Sequence, residues 1–487
     1  MRDREKDTYE YRIRWRRAGM SEEQYLEFKT DGSPIDYKKG QGQLIIYMEI
    51  EKNIPPEVFD MNLSELKQLK LMFIESSHHL QQLLEKVKPK TLTIVNGNFS
   101  NGIPAFPTSL VNLNMIRCKM RVKKGVSKLT SLTKLHLESS EFKSDESLGH
   151  LLMAADSLTD LHVTDCENAR LPKSLRHLQQ LVNLNLYSSH LSSENEETLS
   201  VLHELENLGE LILCECKLPL VPESVMQLPK LTKLILTQNK LLGQTIPDKF
   251  DRLVSLRELS LGTCYLSEIP ISLGQLKHLE SLDLSANHLS ATDALKPVES
   301  LTSLTCLSLS QCSLDALPKM EGLRSLQKLE LAHNNFSTAV TQEDDTSGDA
   351  LKGIPKSVSE LDISGNNFSG GLPEIVANLT GLISLKISAS SLSQFPESIL
   401  TLSDLKVLDL SRNAFPEVPA SIEQLKKLES LNMAHCLKLV SIINLSRLKF
   451  LNTLSIENCR SLSSPPLEVC RRGLKVIQQF FSENVRH

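Results

Sequence analysis

The residues of this 487-residue chain best able to do chemistry are its ten cysteines, its histidines and its carboxylates, and their spacing argues against most of that chemistry. Seven cysteines, Cys118, Cys166, Cys216, Cys264, Cys312, Cys436 and Cys459, each lie eight residues after a leucine. Asparagine holds the same place in other segments, as at Asn239, Asn287, Asn334, Asn366 and Asn413. A residue that alternates between thiol and amide satisfies backbone groups at a turn better than it serves a redox or metal centre. Cys214-x-Cys216 then pairs one outward position with one turn position. His136 and His162 occupy equivalent places in neighbouring segments, with Glu138, Asp160 and Asp165 nearby, and adjacent parallel strands would bring such side chains within about 5 Å. No HExxH, paired CxxC or G-x-S-x-G accompanies them. The reading is no catalytic residue, no metal and no cofactor.

The elements that must position these residues are set by the leucines. The spacing L-x-x-L-x-L-x-x-(N/C/S)-x-L recurs fifteen times, its first positions running from Leu110 to Leu451, with Val358 in one place. The period stays within 22 to 27 residues apart from one gap of 32 between Leu326 and Val358. In a strand the fourth and sixth positions face one way and the third, fifth and seventh the other, so the leucines are buried. One such segment has too little apolar surface to offset its ordering entropy, so stability comes from stacking each coil on its neighbours. The return stretches LPKSLRHLQQL from Leu171, VPESVMQLPKL from Val221, IPISLGQLKHL from Ile269, FPESILTLSDL from Phe395 and VPASIEQLKKL from Val418 suit short helical or 3₁₀ segments.

The chain resembles the leucine-rich repeat family through these fifteen copies, which implies an α/β solenoid, a curved horseshoe with a parallel sheet on its concave face. Fifteen strands at roughly 4.8 Å make a wall about 70 Å long, suited to a macromolecular partner. The 23-residue coils and their LPxSLxxLxxL returns look like the Ras-group repeats, a resemblance that implies work with small GTPases or their effectors. The expected organisation is an N-terminal cap or partner-binding arm over 1–45, divergent first repeats over 46–109, the array over 110–463 with a polar insertion at 337–353, and a helical cap over 464–487.

Both ends carry further signals. Ser21 and Gln24 form a capping-box pattern that predicts a short helix in SEEQYLEF. Residues Leu467, Val469, Cys470, Leu474, Ile477 and Phe481 can share one face of a closing helix after Pro465 and Pro466. That segment looks like the piece that precedes the GTPase domain in Roco proteins, although no G-x-x-x-x-G-K-[ST] occurs in the chain. Thr341, Thr346 and Ser347 in the insertion lie beside acidic residues, as acidophilic-kinase sites do.

A net charge of −5 offers no general attraction for nucleic acid or anionic membrane. No apolar run is long enough to span a bilayer, and the charged start lacks a secretory core, so the expected compartment is the cytoplasm, with the nucleus as an alternative. With no paired-cysteine caps at the ends, the thiols are expected reduced.

Two regions of the outward ladder stand out as partner-binding candidates. Tyr187, Ile212, Cys214 and Ile235 would place apolar side chains together on a polar surface. Asp283, Glu330, Glu360, Asp362 and Asp409 would form an acidic stripe, with Lys328, Lys386 and Arg412 beside it. The function expected is a non-catalytic scaffold or adaptor of intracellular signalling that binds a protein on the concave face. The alternatives are the regulatory repeat half of a Roco-type signalling enzyme and an extracellular receptor ectodomain.

Overall fold

The computed structural model describes residues 9–17, 24–29, 45–52, 54, 56–60, 63–64, 66–75, 77–144, 146–166, 171–189, 199–241, 246–291, 293–338, 350–442 and 445–484. The chain forms two compact units, Met1–Lys240 and Leu241–His487.

In the first unit, strand Tyr9–Arg17 lies between Gln24–Lys29 and Ile45–Lys52, antiparallel to both. Gln24–Lys29 is therefore a strand and not the helix that the capping-box pattern predicts. The segment is too short for a stable isolated helix, and its Tyr25 and Phe28 favour strand once a ladder is available. From Ile45–Lys52 onward every pairing is parallel, through Gln68–Met72, Thr91–Val95, Asn112–Ile116, Lys134–Glu138, Asp160–Thr164, Asn183–Asn185, Glu210–Ile212 and Lys233–Ile235. The register aligns leucine with leucine: Leu161 faces Leu184, Leu184 faces Leu211 and Leu211 faces Leu234. All four are buried, as the alternation requires. Truncating any such leucine to alanine is worth about 2–5 kcal/mol. The return paths of this unit include a 3₁₀ turn, Pro56–Asp60, and two α-helices, His78–Val87 and Ser147–Met153. Ser77 caps the first helix by accepting from Leu80 N at 3.1 Å. After Ser147–Met153 the returns are 3₁₀ turns, at Lys173–His177, Ser200–Glu204 and Glu223–Gln227.

The second unit repeats the plan with three-residue strands from Glu258–Ser260 to Thr453–Ser455, again leucine on leucine from Leu259 to Leu454. Phe250, Phe336, Phe368 and Phe415 fill the space behind the leucines and are fully buried. The chain after the last strand makes two helices, Leu467–Cys470 and Leu474–Asn484, not one. Gly473, at φ 89°, separates them, a backbone conformation that ends a helix and suits glycine. The second helix packs on the 3₁₀ turn Leu445–Arg447 and buries Ile477 and Phe481, while Leu474 stays partly exposed. Thr341, Thr346 and Ser347 lie outside the described residues.

Two backbone devices recur in the coils. The eighth motif position is left-handed in all fifteen copies, from Arg117 (φ 51°) to Asn458 (φ 58°), and glycine holds it only at Gly365. The ninth residue then turns inward. Asn287 Nδ2 donates to Leu261 O at 2.9 Å in the preceding coil and to Leu284 O at 2.7 Å in its own. Its Oδ1 accepts from Cys264 N and Leu266 N at 3.1 and 2.9 Å. Asn334 and Asn413 repeat this arrangement. Cysteine in the same place makes the inter-coil contact with its thiol, as Cys216 Sγ donates to Leu186 O at 2.9 Å and Cys436 Sγ to Leu410 O at 3.3 Å.

Candidate functional site

The outward face of the first unit's last coils carries the apolar candidates. Strands Asn183–Asn185, Glu210–Ile212 and Lys233–Ile235 put Asn185, Ile212 and Ile235 side by side at the fifth position. Two residues on, Tyr187 and Cys214 occupy the seventh position, where Leu186 N donates to Ile212 O at 2.8 Å and Ser188 N to Cys214 O at 2.9 Å. The spacing therefore brings Tyr187, Ile212, Cys214 and Ile235 onto one face of three successive coils. Ile212, Cys214 and Ile235 are half-buried, and Tyr187 is 40% exposed. The Tyr187 hydroxyl donates to Glu215 Oε2 at 3.0 Å, and Cys214 Sγ approaches Gln238 Oε1 at 3.7 Å. That hydrogen bond, together with the Glu215 charge, raises the Tyr187 pKa, so the phenol stays protonated. Burial, helped by Glu215, raises the Cys214 thiol. The result is an apolar patch with a fixed polar rim and no activated nucleophile.

The acidic candidates lie on the second unit's sheet. The fifth-position row runs Asp283, Ser308, Glu330, Asp362, Lys386, Asp409 and Asn432, each a ladder neighbour of the next. Ser308 therefore breaks the stripe, and Lys386 divides it again. Lys386 Nζ lies 3.9 Å from Asp362, and Lys328 Nζ lies 2.7 Å from Glu330. Arg412 does not join the row; it is exposed at the left-handed eighth position, beyond the strand.

The aspartates of this row have a role that sequence reading missed. Asp283, Asp362 and Asp409 each accept from the backbone N–H two residues on, at 3.0, 3.0 and 2.9 Å. Asn185 and Asn432 do the same for Tyr187 and Ala434. Each side chain closes the end of its own strand as an Asx turn. The signal was present as Asp-Leu-Ser, Asp-Ile-Ser and Asn-Met-Ala at a fixed place in the motif. Asp283 is further held by the hydroxyls of Ser285 at 2.6 Å and Ser260 at 2.7 Å.

The histidine pair sits edge to face, ring centroids 5.5 Å apart, on neighbouring strands. Burial, followed by the neighbouring His136, lowers the His162 pKa. Asp160 is spent on other partners: burial opposes its ionisation, but hydrogen bonds from Thr159 and Asn183 and the Lys134 charge hold its carboxyl below the usual range. Among the described residues, no three His, Cys, Asp or Glu side chains gather as a metal set. Burial also pushes the turn thiols up, to about 11 for Cys118, Cys166 and Cys312 and to about 12 for Cys216 and Cys436.

No helix among the described residues is long and apolar enough to cross a membrane. Leucine rich repeat family models match residues 229–289, 357–379 and 382–437. No curated relative matches the chain. Among solved structures, the chain is similar to a leucine-rich repeat protein of Leptospira interrogans at 26% identity, with a TM-score of 0.55, over 79% of this chain and 87% of the other. It is also similar in fold to a chain of the mouse RP105/MD-1 complex at 21% identity, with a TM-score of 0.52, over 81% of this chain and 79% of the other. The repeated strand, the left-handed turn, the inward asparagine or cysteine and these matches together make the chain a leucine-rich repeat protein.

Proposed function

We propose that the chain is a non-catalytic scaffold or adaptor that binds a protein partner through the outward face of its sheet, in the cytoplasm and in signalling through small GTPases or their effectors. The observation that carries this reading is the patch of Tyr187, Ile212, Cys214 and Ile235. Its isoleucines project from the face opposite the leucine core, where folding alone does not require them. A partner that covers the patch desolvates apolar surface while leaving the Glu215 and Gln238 rim wet, the pattern of an interface anchor. The acidic row is a second contact, acting on association rate more than on final affinity. The Ras-group resemblance and the turn-type returns support the GTPase link. A regulatory role beside a GTPase domain is the alternative, and it rests on the C-terminal segment alone.

The test is the double variant Ile212→Ser, Ile235→Ser, measured against a partner captured with the wild-type protein and then purified. Binding should weaken by about 2 kcal/mol or more, roughly 30-fold. The same substitutions should cost far less stability than Leu211→Ala, for which core truncation implies about 2–5 kcal/mol. A partner held as tightly by the variant as by wild type would move the site off the patch. Preference of a captured small GTPase for neither nucleotide state would remove the signalling part of the proposal.

A further inference from the structure

The second unit has a cleft that lies away from the long parallel sheet. About 700 Å³ in volume, it is formed by the turns that follow the ninth position in three successive coils. Its origin is a mismatch in chain length. Pro373 lies seven positions after Asn366, whereas Pro396 and Pro419 lie six positions after Ser390 and Asn413. The extra residue lies in Gly370-Gly371, which form a lip on one side. Gly371 has φ 105°, and a Cβ on Gly370 would collide with Thr338 O. Thr338 Oγ1 donates to Gly371 O at 2.7 Å and fixes the lip. The opposite wall is the short strand Glu417–Val418, paired with Ser441–Ile442. Between the walls, Leu392 to Pro396 joins no strand, and the chain there leaves a recess floored by the buried Phe368, Leu392 and Phe395.

The lining is chemically one-sided. The proline rings of Pro416 and Pro419 and the Leu372 side chain give apolar surface at the walls. Glu397 and Glu417, on neighbouring coils, are exposed at the rim, and among the described residues no lysine, arginine or histidine lines the cleft. Ser369, Ser393, Ser398 and Gln394 supply further oxygens. Two unneutralised carboxylates above an apolar floor suit a cation carried on an apolar stem, because burial of the stem and charge pairing at its tip then act together. A guanidinium fits the carboxylates better than an ammonium, since its planar fork can be shared between two acceptors.

We infer that this cleft is a docking site for an arginine side chain presented, beside an apolar residue, by an extended segment of a protein partner. The site is separate from the sheet-face patch, so either can fail without the other.

The minimal probe is Nα-benzoyl-arginine amide, which joins an aromatic ring to a guanidinium, followed by saturation-transfer NMR against the whole chain. Nα-benzoyl-citrulline amide, of the same shape without the charge, and spermidine, a cation without a peptide stem, are the comparison probes. The arginine probe should bind with a dissociation constant in the millimolar range, as expected of a ligand of about twenty heavy atoms in an open cleft. It should be at least about fivefold weaker in Glu397→Gln, Glu417→Gln, and weaker as salt rises. Ser393→Trp, which fills the recess from an exposed position, should abolish binding with the circular dichroism spectrum unchanged. Absence of binding up to about 10 mM would overturn the inference, as would equal binding of the citrulline probe or indifference to the glutamate variants. Equal binding of spermidine would overturn the assignment to a peptide side chain.

Discussion

Asn287→Ala is the sharpest test of how the coils hold together. The wild-type amide is 1% exposed and joins two coils by accepting from Cys264 N and Leu266 N while donating to Leu261 O and Leu284 O. Alanine strands both N–H groups. Leu284 O keeps a donor in Cys312 Sγ at 3.2 Å, so the carbonyl loss falls mainly on Leu261. A buried unsatisfied backbone group costs about 1–3 kcal/mol, which sets a range of about 2–6 kcal/mol for the two donors before the carbonyl is counted. The vacated amide volume is polar and can take a water that restores part of this, so about 3 kcal/mol is expected. Cys312→Ala, at the equivalent place one coil on, removes one weak thiol donor, shared between Leu284 O and Ser310 O, and little volume, and about 1 kcal/mol is expected.

Urea unfolding followed by far-ultraviolet circular dichroism gives the difference between the two variants. Because a repeat array can unfold in parts, hydrogen exchange of the Cys264 and Leu266 amides must be read alongside it. Both amides should exchange faster in Asn287→Ala and be unaffected in Cys312→Ala. If the two variants agree within about 1 kcal/mol and the amides exchange at wild-type rates, the inter-coil role of the asparagine is refuted.

Thiol labelling tests the inward turn: in the native state a neutral-pH thiol reagent should modify the partly exposed Cys214, Cys306 and Cys470, while the seven ninth-position cysteines react only on unfolding. Rapid native labelling of Cys216 or Cys436 would contradict their burial. Since burial raises the Cys216 thiol to about 12, the unfolded chain loses that proton first, so stability should fall as pH rises above about 9, by about 1 kcal/mol per unit per thiol, until the folded group ionises. Cys216→Ala should shallow that slope, and an unchanged slope between pH 9 and 11 would sink the argument, since other groups contribute equally to both proteins. Deleting residues 464–487 removes Ile477 and Phe481 from the 3₁₀ turn Leu445–Arg447, and should lower the melting temperature or cause aggregation. A truncated chain that stays monomeric with the wild-type melting temperature would show that the segment is a tail.

The leucine spacing by itself determined the parallel strands, the burial of Leu211 and Leu234, and the outward direction of Ile212 and Ile235, because a strand's side chains alternate whatever surrounds it. It also determined the turn-forming place of Cys216 and Asn287, since a small polar group there recurs with the coil. What those groups bond to was decided by stacking: Asn287 reaches Cys264 N and Leu266 N, more than twenty residues earlier, only because successive coils lie in register. The left-handed eighth residue was hidden for a different reason, as Arg117, Glu215 and Gln311 are not residues that announce a positive φ, and the conformation is imposed by the turn between two fixed strands and returns. Gln24–Lys29 carried a local helix signal that lost to antiparallel pairing with Tyr9–Arg17, a contact no local pattern contains. Asp283 reads as surface charge until its turn is seen closing on Ser285, and the cleft over Phe395 arises from one extra residue in a neighbouring coil. Local periodicity is written in each repeat, whereas partners across coils depend on how the repeats stack, and that depends on the whole array at once.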